Sequence, residues 1–191
     1  MQFRRSQGAF TLIEMVVTVS VLAILAAIAV PSFLNTLEKR RVVGAAEQLY
    51  ADLQYARSEA IKGNRRVGIY FTPSTTSWCY GLDDDTTTAC VCGAAEPNCT
   101  VDTVQKVFRS DGFRGVSLSS PLGFGGTGPD NETGFEPRRG QPMRTINSEL
   151  AVGTVEFSSA SQQLNVVLSA QGRIRLCSPT AKKVAGYPGC T

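Results

Sequence analysis

The pattern of apolar and polar positions divides the chain into three regimes. Residues 10–31 hold twenty apolar or small hydroxyl-bearing residues, interrupted only by Glu14 and closed by Pro31. A helix of that length, at about 1.5 Å per residue, crosses a hydrocarbon core of ~30 Å. From Leu34 the apolar positions thin out to Val42, Ala45, Leu49, Leu53, Ala56 and Ala60, at mostly three- and four-residue steps, with charged residues between them. This predicts that the helix continues over residues 32–63 as an amphipathic spine. Gly63-Asn64 predicts its end, Gly being the usual left-handed terminator. Counted from Phe10, the helix would run about 53 residues, roughly 80 Å. Pro31 is expected to kink it or melt it locally, because proline lacks the N–H that bonds back into the preceding turn.

Beyond Gly63 the period changes to two. Short strands are predicted at 65–71, 77–82, 103–109, 115–119, 152–158, 163–169 and 172–178, with Val155 and Phe157, then Leu164, Val166 and Leu168, alternating as half-buried strands do. Residues 120–142 carry Pro121, Gly123, Gly125, Gly126, Gly128, Pro129, Gly134, Pro137, Gly140 and Pro142, and read as one long loop. The organisation expected is a leader over residues 1–9, a membrane or filament-core helix over 10–31, the spine over 32–63, and a globular β domain over 64–191.

Composition narrows the chemistry. The chain has 19 Lys and Arg, 16 Asp and Glu, a net charge of +3 and no His. The commonest general base and metal ligand is therefore missing. No Walker A and no G-x-S-x-G motif occurs. Gly123 to Gly128 matches G-x-G-x-x-G, but the flanking Pro121 and Pro129 do not fit a strand before it and a helix after it. Asp83-Asp84-Asp85 lacks the spaced ligands of a calcium loop and reads as a solvated turn. No enzyme, cofactor or metal is expected.

Arg4 and Arg5 precede the apolar run, and no cluster this basic follows Pro31 directly. The positive-inside rule then puts the N-terminus in the cytoplasm and the remainder across the membrane. A carboxylate within such a run costs roughly 3 kcal/mol to insert, which makes Glu14 a functional candidate.

The basic leader followed by Phe10-Thr11-Leu12-Ile13-Glu14 resembles the start of a type IV prepilin or pseudopilin. The resemblance implies that a prepilin peptidase removes the leader, that the new terminal amine is methylated, and that the helix leaves the inner membrane to pack with other pilins in a filament. Cleavage between Ala9 and Phe10 puts Glu14 fifth and Pro31 twenty-second, the positions that family uses. Glu14 would then neutralise a neighbouring subunit's amine. The departure is at the cut, where Ala9 stands in place of the usual Gly. Cleavage after Gly8 is the alternative.

Residues 51–62, running into Arg66-Val67-Gly68-Ile69-Tyr70-Phe71, resemble the FimT and GspH branch of minor pilins and pseudopilins. The resemblance implies an α+β fold, in which a long N-terminal spine helix packs on a two-sheet antiparallel β domain. Arg57-Ser58-Glu59 is expected to be a surface turn of that helix.

Six Cys behind a membrane-targeting N-terminus point to an oxidising compartment and disulfides. Cys177–Cys190 is the expected pair, since Cys79, Cys90, Cys92 and Cys99 can then pair locally. Its loop of 12 intervening residues is worth about 3 kcal/mol in the chain-entropy treatment. The pairing among the other four stays open. A metal site at Cys90-x-Cys92 is disfavoured because zinc pairs are usually more widely spaced.

The C-terminal segment carries the clearest binding signal. From Phe157 to Thr191 there is no acid, while Arg173, Arg175, Lys182 and Lys183 contribute a local +4. On a strand, Arg173 and Arg175 share a face about 7 Å apart, spaced for successive phosphates, with Ile174 turned inward. Gly172 permits a turn and close approach of a partner's backbone. Arg138, Arg139 and Arg144 add to this patch if the long loop folds over it. Gly172-Arg173-Ile174-Arg175 resembles the DNA-binding element of FimT-type minor pilins, which are linked to DNA uptake in natural transformation. The function expected is a minor pilin that binds extracellular DNA through Gly172, Arg173, Arg175, Lys182 and Lys183. The alternative is a minor pilin or pseudopilin that primes or tips a pilus or a type II secretion filament without touching DNA.

Overall fold

A computed structural model describes residues 10–84, 88–119, 124, 131–144 and 149–190. The leader, including Ala9, lies outside the described residues, as do Asp85 and most of the expected loop from 120 to 130. The chain divides into two units, Met1–Leu37 and Glu38–Thr191. One helix, α1 (Leu12–Gly63), begins in the first and ends in the second.

Within the first unit, the helix start is encoded locally. Thr11 precedes the helix, and its Oγ1 accepts the Glu14 backbone N–H at 3.3 Å, half of a capping box. Glu14 also lies in the first turn, where the helix dipole favours an acid. The hydroxyls of Thr18 and Ser20 donate back to the carbonyls of Met15 and Val16, at 2.9 and 2.7 Å, which satisfies their polarity without a partner outside the helix. The large apolar side chains from Leu12 to Ile28 stay at least half exposed. It is long and apolar enough to cross a membrane. The helical assignment runs unbroken through Pro31. The local melting expected there does not occur, although proline still removes one backbone hydrogen bond.

Within the second unit, the helix buries Val42, Ala45, Ala46, Leu49, Leu53, Ala56 and Ala60, each at 1% exposure or less. Leu34, expected on this stripe, lies in the first unit and is exposed. The helix ends in a Schellman motif: Arg65 N–H reaches the Ala60 carbonyl and Asn64 N–H reaches that of Ile61. The left-handed residue is Asn64, at φ 47°, and not the expected Gly63. Asn tolerates that region because its short polar side chain bonds locally.

Among the described residues ten short strands follow: β1 (Val67–Thr72), β2 (Cys79–Asp83), β3 (Thr100–Val101), β4 (Val104–Gln105), β5 (Val107–Arg109), β6 (Ser117–Leu118), β7 (Glu132–Phe135), β8 (Gly153–Ser158), β9 (Gln163–Leu168) and β10 (Ile174–Cys177). They build one antiparallel sheet in the order β5-β2-β1-β7, a second in the order β10-β9-β8-β6, and a small β3-β4 hairpin. The fold is therefore α+β, a long helix with antiparallel sheets packed against its C-terminal half. One apolar core joins that half of the helix to both sheets.

Strands β1 and β2 are buried on both faces. Ile69, Phe71, Tyr80 and Leu82 point into the main core. Tyr70 and Cys79 point the other way, into a second cluster with Cys90, Cys92 and Cys99. Disulfides Cys79–Cys92 and Cys90–Cys99 hold this cluster together. The second lies so close to Gly81 that a Cβ there would sit 2.4 Å from either sulfur. A third disulfide joins Cys177 to Cys190.

Two expectations change at the edges. The loop expected over 120–142 contains β7, which pairs with β1 from Val67↔Phe135 to Tyr70↔Glu132. Asp83-Asp84 is not a solvated turn. Asp83 is buried at the end of β2, and Asp84 forms an ion pair with Arg65 at 3.1 Å.

Candidate nucleic-acid interface

The arginine pair is positioned by an edge strand and the turn before it. Strand β10 pairs only with β9 among the described strands, from Ile174↔Leu168 to Cys177↔Asn165. Arg173 stands one residue before β10, and Arg175 within it. Both are exposed, while Ile174 between them is buried. Among the described residues, neither guanidinium makes an ion pair or a side-chain hydrogen bond. Two permanently charged, unengaged forks about 7 Å apart at strand spacing match successive phosphates of one strand.

The turn at 169–173 is closed by Ser169. Its N–H donates to the Arg173 carbonyl at 3.0 Å, its carbonyl accepts the Gly172 N–H at 2.8 Å, and its Oγ accepts the Arg173 N–H at 3.2 Å. Gly172 sits at φ 73° and is buried. The space its missing Cβ leaves is filled from within the chain, not left open to a partner's backbone, contrary to the expectation from sequence. The Gly140 carbonyl lies 2.5 Å from where that Cβ would be, and Arg57 Nη1 donates to the Gly172 carbonyl at 2.9 Å. Gly172 therefore shapes the turn from inside. A Gly172→Ala variant is expected to lose about 1–3 kcal/mol through left-handed strain and this collision. A thermal melt reads that loss.

Arg57-Ser58-Glu59 is more than a surface turn. Arg57 is half-buried against Gly172 and Gly140, and Glu59 is buried beside Lys62, at 3.3 Å.

The structure separates the basic residues that the sequence groups together. The Lys182 carbonyl accepts the Gln163 N–H at the far end of β9. That point is five residues along β9 from Leu168, about 16 Å. Lys182 Nζ is partly buried and donates to the Ser159 carbonyl at 2.8 Å. Glu38 enters the same loop, accepting the Ser161 N–H at 3.0 Å. Hydrogen bonds, first from the Ser159 side chain, hold its carboxyl below the usual range. The 159–161 loop thus bonds both Lys182 and an acid far away in sequence. Lys183 is exposed.

The loop closed by Cys177–Cys190 is tied to the spine. Lys39 Nζ donates to the Ala185 carbonyl at 2.8 Å, Tyr187 Oη donates to a Glu47 carboxylate oxygen, and Val184 is fully buried. Burial, and then the bond to Glu47, pushes the Tyr187 phenol up to about 12. A raised phenol pKa means that the protonated form is favoured by folding. Its contribution is complete below the usual value near 10 and is lost as pH rises from about 10 to about 12. The stability difference between wild type and Tyr187→Phe should therefore shrink across that window, as read by urea unfolding at successive pH values.

Of the arginines in and after the long loop, Arg144 is buried in an ion pair with Glu132 at 3.5 Å and cannot join a surface patch. Arg138 and Arg139 are exposed on a turn at 136–140, which brings its Gly140 against Gly172.

Two family models match this chain, one to its globular part and one to its N-terminus. The profile of "Type II transport protein GspH" matches residues 45–172, and that of the "Prokaryotic N-terminal methylation motif" matches residues 4–30. Arg173 and Arg175 lie beyond the first match, so their role rests on their own geometry. A fimbrial protein of Pseudomonas aeruginosa is 32% identical over 82 residues, 43% of this chain and 53% of that protein. The chain thus spans about half the length of the curated relatives it matches. Among solved structures, the minor pseudopilin EpsH from the type 2 secretion system of Vibrio cholerae is 16% identical, with a TM-score of 0.47 over 73% of this chain and 98% of that one. The type IV minor pilin FimU of Pseudomonas aeruginosa is 20% identical, with a TM-score of 0.48 over 76% and 98%.

Proposed function

This chain belongs to the GspH family of type II transport proteins and carries the prokaryotic N-terminal methylation motif; from that premise we propose that it is a minor type IV pilin that binds extracellular DNA. The family is one of pilin-type structural proteins, not enzymes. Binding is to phosphates and without sequence preference, and it supports DNA uptake in natural transformation. The observation that carries this reading is the pair Arg173 and Arg175, exposed at the start of an edge strand around a buried Ile174 and unengaged among the described residues.

The rest of the chain delivers that pair to the cell exterior. Prepilin peptidase cuts between Ala9 and Phe10, and Phe10 is methylated. The helix holds the protein in the inner membrane, with the globular unit periplasmic, until it enters a filament with other pilins. There Glu14 meets a neighbour's terminal amine and Pro31 sits at the family's usual register. Each subunit binds weakly, and several on one fibre add avidity.

The test is a fluorescence anisotropy titration of duplex DNA with the full chain in nonionic detergent, at several salt concentrations. Binding at 50 mM salt that weakens steeply with salt is expected from counterion release. Absence of binding overturns the reading, and salt-insensitive binding overturns the phosphate mechanism. Loss of secretion with transformation intact in a deletion strain would instead identify a structural role in a secretion filament.

A further inference from the structure

The chain's own fold supplies arginines to the interface from a second segment. In the turn at 136–140, the Glu136 carbonyl accepts the Gly140 N–H at 3.1 Å, and Glu136 Oε1 accepts the Arg139 N–H at 2.9 Å. Arg138 and Arg139 project at the tip, both exposed, with no ion pair or side-chain hydrogen bond among the described residues. Glu136 is the acid closest in the turn, and one of its oxygens is already committed to backbone. The turn is not free to wander. A Cβ on Gly140 would lie 2.8 Å from Arg57 Nε and 3.0 Å from Ile61 Cδ1, and the Gly140 carbonyl presses on Gly172. Arg57, half-buried, touches both turns and bonds the Gly172 carbonyl. The spine helix thereby holds the 136–140 turn beside the turn that launches Arg173.

We propose that Arg138 and Arg139 form a second arm of the phosphate-binding surface, so that a duplex DNA backbone is tracked by Arg138, Arg139, Arg173 and Arg175 together. This rests on the DNA-binding reading above. It shifts the centre of the interface from the Lys182 end of β9 to the Arg57 end. Two arms on separate turns can engage phosphates on both sides of a groove, whereas one strand-borne pair follows a single backbone. Guanidinium forks suit this because each binds a phosphate in bidentate fashion and stays charged at any working pH.

The experiment measures the salt dependence of duplex DNA binding by the full chain in detergent for wild type and four variants. Arg138→Gln with Arg139→Gln should flatten the slope of log K against log salt by about 2, near 0.9 per lost contact, and weaken binding at 50 mM salt by about tenfold or more. Arg138→Lys with Arg139→Lys should keep the slope. Arg40→Gln with Arg114→Gln removes the same charge elsewhere. Arg114 sits at the Arg41 end of the spine, where its carbonyl accepts from Arg41. That end is 16 residues from Arg57, about 24 Å along the helix and more than two Debye lengths at 0.1 M salt. This control should leave the slope unchanged. Arg173→Gln with Arg175→Gln reports the first arm.

A wild-type slope in the Arg138/Arg139 Gln pair, alongside lost binding in the Arg173/Arg175 pair, overturns the second arm and leaves the DNA reading standing. No binding by wild type overturns both. An equal slope change in the Arg40/Arg114 control overturns a local arm in favour of bulk charge. Melting curves check folding, and should the double variant unfold, each single Gln variant reads half the slope change.

Discussion

With Arg173→Gln and Arg175→Gln introduced together, duplex DNA affinity at 0.1 M salt is expected to fall about tenfold or more, and the salt slope to flatten by about 2. The reasoning is local. Both side chains are exposed, Arg173 just before the edge strand and Arg175 within it, so their replacement leaves Ile174, the β9 pairing and the Cys177–Cys190 loop in place. Glutamine keeps a polar side chain while deleting the charge. Surface substitutions of this kind usually change stability by less than about 0.5 kcal/mol, so a lost affinity is not a lost fold. Lysine at both positions should restore most of the slope but less of the affinity, because a point charge replaces a bidentate fork. Anisotropy titration reads the affinity. Transformation frequency reads the consequence in cells, which should drop while surface filaments persist. Unchanged affinity in the double variant would remove Arg173 and Arg175 from the interface. Unchanged transformation with weakened binding would separate DNA contact from uptake.

The largest loss of stability is expected at Trp78, whose replacement by alanine should cost about 3–5 kcal/mol. Trp78 is 1% exposed just before β2 in the first sheet. Its ring meets Phe157 of β8, in the second sheet, edge-on at 5.3 Å between centroids, and stacks near Phe108 and Phe113 at 6.3 and 6.2 Å. Its Nε1 donates to the Val116 carbonyl at 2.8 Å. One side chain thus bridges both sheets and satisfies a backbone acceptor next to β6. Removing it opens a cavity that rigid strands cannot close and leaves that carbonyl unpaired. At roughly 2–4 °C per kcal/mol for a unit of this size, the melting midpoint should drop by about 10 °C. Trp78→Phe keeps most of the ring and loses the N–H, so its cost should be only about 1–2 kcal/mol. A Trp78→Ala midpoint within about 3 °C of wild type would show that the two sheets do not depend on this contact.

Periodicity, which is local, was enough for much of the fold. The 3.6-residue stripe from Val42 to Ala60 defines the buried face of the spine, and the alternation at 155–157 and 164–168 defines β8 and β9. Each side chain there follows a rule set by its immediate neighbours. Strand β7 was not legible because Glu132-Thr133-Gly134-Phe135 has poor strand composition. Its place depends on β1 alongside and on the Glu132–Arg144 pair, and both are long-range. Leu34 looked like part of the stripe because periodicity does not say where the partner sheets begin.

The interface divides along the same line. The sequence by itself determined the long apolar N-terminal helix that continues as an amphipathic spine, and the alternation that exposes Arg173 and Arg175 around Ile174, because spacing along one element fixes which side chains share a face. Tertiary structure alone decided which other charges stand beside that pair. It set Lys182 at the opposite end of β9 on the loop that Glu38 bonds, buried Arg144, closed Gly172 against Gly140, and held the 136–140 turn that carries Arg138 and Arg139 against Arg57 through Gly140. Charge acts through space with a reach of about a Debye length, and proximity between residues 115 positions apart, as for Arg57 and Gly172, is created only by folding.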